Sequence, residues 1–239
     1  MDIPILIIAA ASGYLLGAIS FARIISKMAN PEADLTDVNL PIDGPEGKMH
    51  LHSVGATTAS VKLGGKVGCA IGLIDMLKVA LPTLVFKLLY PEQPYFLFAA
   101  GMGVVGHNWP IYYRFKGGSG ISATYGGMLV IDWLGTLICA SAGMIFGMVV
   151  VKHVMVAYLS GLWFMIPWLW FRTHDYYHLS YIILVNLSFF FAVLPEIRFI
   201  LKEYRKGNKN IVTPMEAFPM GKGMLKMLDF FKLKDRLNK

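Results

Sequence analysis

The sequence is short of charge. Asp, Glu, Lys and Arg make up 15% of its 239 residues, against about 25% in ordinary soluble domains. Hydrophobic residues make up 56%, and the mean hydropathy is +0.56. A deficit of charge spread over most of the length favours one integral membrane domain over a soluble core. Cysteine is scarce too. Cys69 and Cys139 both fall in apolar segments, so they read as small core residues, with no disulfide and no metal site expected. The opening segment from Ile3 to Met28 lacks a basic start and is too long for a signal-peptide core, so it reads as a retained span.

What is present is a series of apolar segments, each near the about twenty residues that cross a bilayer as a helix. They run over 3–28, 67–89, 95–109, 120–131, 133–151, 154–171 and 178–200. The stretch 120–151 reads either as one long helix or as two short ones broken near Asp132. The fold class expected is all-α: a polytopic bundle of about seven transmembrane helices. Charge sets its orientation. The tail 202–239 carries ten Lys/Arg against four Asp/Glu, a net +6 out of the chain's +7. A short basic tail belongs in the cytoplasm. Seven spans then place the N-terminus outside, and put the loop 29–66, the loop near 110–120 and Lys152-His153 on the tail's side. Six spans would separate the tail from those loops. The division expected is therefore a membrane domain over 1–201 and a basic cytoplasmic tail over 202–239. Within the tail, Met224, Leu225, Met227, Leu228, Phe231 and Leu233 alternate with Lys222, Lys226, Lys232, Lys234 and Arg236. That pattern suits an amphipathic helix on an anionic membrane surface, or else a solubilising tail.

Three polar constellations interrupt the apolar pattern. The fullest is Gly106 to Gly120, which gathers His107, Arg114, Lys116 and four glycines between two apolar segments. Exposed backbone N–H groups at glycines form a concavity for anions. Lys116 with Gly117, Gly118, Ser119 and Gly120 therefore reads as a phosphate cradle, and His107 as a group that orients or deprotonates a hydroxyl. The bland reading is a re-entrant turn whose glycines only let helices touch. The second is Ser53-Val54-Gly55-Ala56-Thr57-Thr58, followed by Lys62 and Lys66. Hydroxyls and N–H groups around a glycine suit an oxyanion, with Lys62 neutralising charge. A helix cap with a basic anchor explains the same residues. The third is Asp75 and Lys78, three apart on one helix face at membrane depth. Such a pair faces either a protein interior or a watery cavity. His50 and His52 have no companion cluster to complete a metal site.

Gly106-His107-x-x-Pro110 followed by Phe115-Lys116-Gly117-Gly118-x-Gly120 resembles the second signature of bacterial acyl-phosphate:glycerol-3-phosphate acyltransferases of the PlsY type. Val54-Gly55-Ala56-Thr57 and Gly64 are similar to the core of that family's first signature, Tyr14 to Ser20 to its first helix, and Asp75-x-x-Lys78 with Pro82 to its second. The resemblance covers about residues 13–200. It implies a seven-helix bundle in the bacterial inner membrane, with the signature loops on the cytoplasmic face. It also implies transfer of an acyl chain from acyl phosphate to the 1-hydroxyl of glycerol 3-phosphate, in phospholipid synthesis. Acyl phosphate, glycerol 3-phosphate and membrane lipids are the partners implied; no cofactor and no nucleic acid are expected. The departures are specific. Leu51-His52-Ser53 stands where the family has Ser-Gly-Asn, and Thr58 replaces an Asn. Val61 replaces a substrate-binding Arg, with Lys62 next to it, and Ser119 replaces a phosphate-binding Lys. The third signature has no clear match around Leu194-Pro195-Glu196-Ile197-Arg198. These losses leave a rival open, a non-catalytic lipid-binding or regulatory protein on the same scaffold. A small transporter is a third reading, which requires a continuous polar path.

Overall fold

Helix starts and breaks follow the local chemistry of the chain. The structure, a computed structural model, describes residues 1–41, 47–151 and 154–206. α1 (Ile3–Gly17) begins where the Asp2 carboxylate accepts the Ile5 N–H, with a proline in its first turn. A short kink leads into α2 (Phe21–Ala29). α3 (Ala56–Leu63) and α4 (Gly65–Leu89) are separated by Gly64, whose φ of 94° an L side chain rarely adopts. α5 (Tyr95–Asn108) is followed by a single 3-10 turn, Ile111–Tyr113.

The choice left open over 120–151 resolves as two helices. Asp132 ends α6 (Ile121–Ile131) and caps α7 (Trp133–Ile145), accepting the Gly135 N–H at 3.0 Å. A π turn, Phe146–Val150, extends α7. α8 (Val154–Thr173) and α9 (Tyr176–Ala192) follow, with Asp175 capping α9 through the Tyr177 and His178 N–H groups. α10 (Leu194–Arg205) completes the described chain. The segment expected as one span over 178–200 is thus broken. α9 and α10 meet at Val193 with a 56° bend, because Pro195 can open a helix but cannot continue one. The amphipathic tail helix expected over 222–239 lies outside the described residues, as does Lys152-His153.

One departure from all-α is real. β1 (Val38–Pro41) and β2 (Lys48–Leu51) pair antiparallel, with Val38 opposite Leu51 and Leu40 opposite Met49. Those four side chains are buried together beneath Val61, Phe199 and Ile200. Alternation over four residues is too short to stand out in a loop, and α10 supplies the cover that makes it worth folding.

The bundle is apolar on its outside. Along α4, Leu73, Leu77, Leu81 and Leu88 are 56–71% exposed, whereas Asp75 and Lys78 are 1% and 7% exposed. Water would reverse that arrangement; lipid explains it. Among the described residues, Ile3–Ala29 and Gly65–Leu89 are each long and apolar enough to cross a membrane. α1 lies directly against α5, with Gly13 and Gly17 seated on the backbone of Ala99 and Gly103. The main core gathers Val79, Val104, Met128, Leu162, Met165 and Ile182 from five of the helices.

Candidate active site at the glycine-loop end

The two motif loops meet at one end of the bundle. The Val54 N–H donates to the Gly117 carbonyl at 2.7 Å, and Gly55 lies against the Gly118 backbone. α10 reaches the same place. The buried Glu196 carboxylate accepts the His52 N–H at 2.9 Å, with the His52 ring at 3.9 Å. Three segments distant in sequence are therefore tied together by backbone and carboxylate.

The glycine loop folds back over the C-terminal end of α5. Its Gly118 N–H donates to the His107 carbonyl at 3.1 Å. A Cβ on Gly118 would overlap His107 Nε2, so the loop backbone lies flat on the imidazole. Gly120 has φ 87°, and a Cβ there would overlap the Asn108 amide. Glycine at these two positions is required by contact and by conformation. The Gly118 N–H, counted among the anion donors on sequence grounds, is committed inside the loop. Gly117, Gly118 and Gly120 are buried, Ser119 is half-buried, and Lys116 is exposed at the rim.

Beneath the loop lies the intramembrane pair. Lys78 Nζ is 2.8 Å from Asp75 and donates to the Ile19 carbonyl at 2.7 Å. His107 Nδ1 stands 3.7 Å from the same Asp75 oxygen. The pair expected from spacing alone is thus a buried triad that backs the imidazole on the side away from Gly118. His107 Nδ1, Asn108 Oδ1 and Thr124 Oγ1 are buried with no hydrogen-bond partner among the described residues.

The first loop divides its hydroxyls. Thr58 Oγ1 is buried, accepts the Gly55 N–H and donates to the Gly55 carbonyl, both at 2.9 Å. It closes the N-terminus of α3, the capping role. Ser53 is half-buried and Thr57 exposed. Lys62 is exposed and lines a cleft of about 320 Å³ with Asp37, Asn39 and Lys48. That cleft runs along the hairpin, so Lys62 borders the hairpin rather than the glycines. Val61 packs into the hairpin core. Hydrogen bonds from the Thr36 hydroxyl and N–H hold the nearby Asp34 carboxyl below its usual range, and Lys62 and Arg23 lower it further through space.

Arg23 is the residue that motif reading missed. From α2 its guanidinium donates to the Lys116 carbonyl at 2.6 Å and stacks over Tyr113 at 4.9 Å. The sequence signal is weak, since Arg23 shares its helix with Lys27, and only the fold brings it beside Lys116. Among the described residues no cluster of three His, Cys, Asp or Glu side chains gathers to hold a metal.

A helical bundle dressed in exposed aliphatic side chains, with motif loops, cations and a buried histidine at one end, defines an integral membrane protein built around a polar end-site. The family model for glycerol-3-phosphate acyltransferase matches residues 7–212, and the chain belongs to that family. Curated relatives named glycerol-3-phosphate acyltransferase include one from Legionella pneumophila (strain Corby), 34% identical over 131 residues, which are 54% of this chain and 43% of the relative. Another, from Desulfotalea psychrophila, is 37% identical over 123 residues, 50% of this chain and 56% of the relative. The chain spans about half the length of the curated relatives it matches. Two solved structures share the fold. The crystal structure of PlsY (YgiH), an integral membrane glycerol 3-phosphate acyltransferase, in its glycerol 3-phosphate form aligns with a TM-score of 0.69 and 20% identity, over 89% of this chain and 98% of that one. Its lysophosphatidic acid form aligns at 0.66, over 85% and 93%.

Proposed function

We propose that this chain is a membrane acyltransferase that moves an acyl chain from acyl phosphate to the 1-hydroxyl of glycerol 3-phosphate, in phospholipid synthesis. The observation that carries the reading is the joint between Val54 and Gly117, which unites the two motif loops at one end of the bundle. The family and the names of the relatives support glycerol 3-phosphate as the acceptor, and the likeness of the motifs to the acyl-phosphate-dependent type supports acyl phosphate as the donor. The bundle is read as seven spans with the N-terminus outside. The loops and the tail 202–239 then lie at the cytoplasmic face of a bacterial inner membrane, by the positive-inside rule.

Acyl phosphate is a mixed anhydride, so no enzyme nucleophile is needed. The 1-hydroxyl oxygen attacks the acyl carbon, an ester C–O bond forms, and the bond to the phosphate oxygen breaks. Phosphate leaves with the electron pair, and the hydroxyl proton passes to the departing phosphate or to His107. Much of the rate then comes from positioning and from stabilising charge on the leaving group. In this reading Lys116 and the N–H groups of Gly117, Ser119 and Gly120 face phosphate. Ser53 and Thr57 donate from the first loop, and Lys62 adds positive potential from the hairpin side. His107, held between Asp75-Lys78 and the Gly118 backbone, orients the acceptor hydroxyl. Thr58 and Gly118 shape the site from within it.

The test uses membranes containing the full chain, supplied with acyl phosphate and labelled glycerol 3-phosphate. Labelled lysophosphatidate well above a Lys116→Ala control supports the reading. Equal product from the two ends it. The second reading, lipid binding without turnover, is favoured by two observations: the Gly118 N–H and the Thr58 hydroxyl are consumed internally. It predicts that acyl phosphate binds but is not consumed.

A further inference from the structure

Three cations packed against the helices are balanced or pinned. Arg172 Nε lies 3.2 Å from Asp132, Lys78 lies 2.8 Å from Asp75, and Lys87 caps two carbonyls. Arg23 is held differently. Its contacts are a neutral carbonyl and an aromatic face, neither of which cancels its charge. No carboxylate comes within ion-pairing distance of it among the described residues. Asp34, whose field it feels, is shared with Lys62. Arg23 Nε is buried with no hydrogen-bond partner. A guanidinium that is oriented at one N–H, stacked on its face and left positive has the set-up for receiving an oxyanion.

Position adds to this. Arg23 grips the carbonyl of Lys116, the residue that opens the glycine run. Arg23 and Lys62 both act through space on the Asp34 carboxylate, so positive charge outweighs negative around the Arg23 guanidinium. The charge is complementary to a phosphomonoester dianion.

We propose that Arg23 is a substrate-binding residue: its guanidinium grips the phosphate of glycerol 3-phosphate while fixing the loop that carries Lys116. The identity of the phosphoester rests on the acyltransfer reading above; the grip rests on the contacts of Arg23 itself. At Val61, by contrast, the side chain is packed among the apolar residues of the hairpin and α10, where a cation would be costly.

The experiment uses the full chain with saturating acyl phosphate and varied glycerol 3-phosphate. Arg23→Gln keeps a neutral N–H donor for the Lys116 carbonyl and removes the charge. It should raise KM for glycerol 3-phosphate roughly tenfold to a hundredfold, the range for one lost charge-assisted hydrogen bond. The kcat and the KM for acyl phosphate should hold within about threefold. Arg23→Lys should recover much of the loss. An unchanged KM in Arg23→Gln overturns the proposal, as does an equal fall in kcat that Lys fails to rescue, because that marks a purely structural clamp. Titration with inorganic phosphate separates this proposal from the acyltransfer reading. Phosphate binding that is lost in Arg23→Gln, in a protein without turnover, upholds Arg23 and removes the acyltransfer. Turnover with phosphate binding indifferent to Arg23 does the reverse.

Discussion

The two ends of the bundle treat their polar groups in opposite ways. At the Asp132 end, the charged groups are matched. The Asp132 carboxylate accepts from Gly135 N–H and Trp168 Nε1 at 3.0 and 2.8 Å, and pairs with Arg172 Nε at 3.2 Å. Lys87 caps the Val130 and Ile131 carbonyls that end α6. Asp175 caps α9 and bonds the His178 ring at 2.5 Å. At the glycine-loop end, Arg23 Nε, His107 Nδ1, Asn108 Oδ1, Thr124 Oγ1 and one oxygen of Glu196 are buried without partners. Buried polar atoms are normally satisfied, and those that are not call for an explanation. A saturated cluster holds helices together. An unsaturated one, next to cations and bare backbone, leaves polar atoms open to a ligand.

The contrast can be broken from the saturated side first. Asp132→Ala should strand a guanidinium, an indole N–H and a helix-capping N–H. A loss of about 3 kcal/mol is expected, discounted because Arg172 is half-exposed. Thermal unfolding in detergent measures it, and activity per folded molecule should hold. A large loss of turnover without loss of stability would mean that this end is functional too. Gly118→Ala comes next. Its Cβ overlaps His107, so the loop must lift, and displacement of that size costs roughly a hundredfold in kcat. Assay of the variant with both substrates checks this; full activity would show that the seat on His107 is incidental. Lys116→Ala should cut kcat/KM by roughly tenfold to a hundredfold with no shift in melting, and added salt should weaken the wild type in the same direction. Thr58→Val is the smallest and sharpens the boundary. As a cap it should cost about 1 kcal/mol of stability and little activity. A tenfold rise in KM for a phosphate substrate would instead move Thr58 into the binding set.

Much of the helical layout is legible in hydropathy, because the spacing of apolar runs and the glycines, prolines and Asp caps that end them are local signals. Asp132 could be read as a possible break, and the structure makes it one by giving its carboxylate two hydrogen-bond donors and an ion pair with Arg172. The bend at Val193 and the hairpin at 38–51 were missed. Both depend on α10 turning back over Leu40 and Met49, a contact with no trace in either segment alone. The candidate site was legible as a glycine run with a cation and as a hydroxyl loop. The use of each polar atom was not. Whether a Thr58 hydroxyl caps a helix or meets a ligand turns on where Gly55 sits, and Arg23 joins the site only because α2 passes beside Tyr113.

By itself the sequence determined the solvent of this protein and the chemistry at its disposal. A chain this poor in charge must bury its few ions or place them at a boundary, and glycine beside lysine sets where backbone can approach an anion. The tertiary structure decided which of those groups are already spent. Hydrogen-bond partners come from segments far apart in the chain, so only the packing of α2, α5 and α10 around the loops could commit Thr58, Gly118 and Glu196 to the scaffold and leave Arg23 with its charge uncancelled.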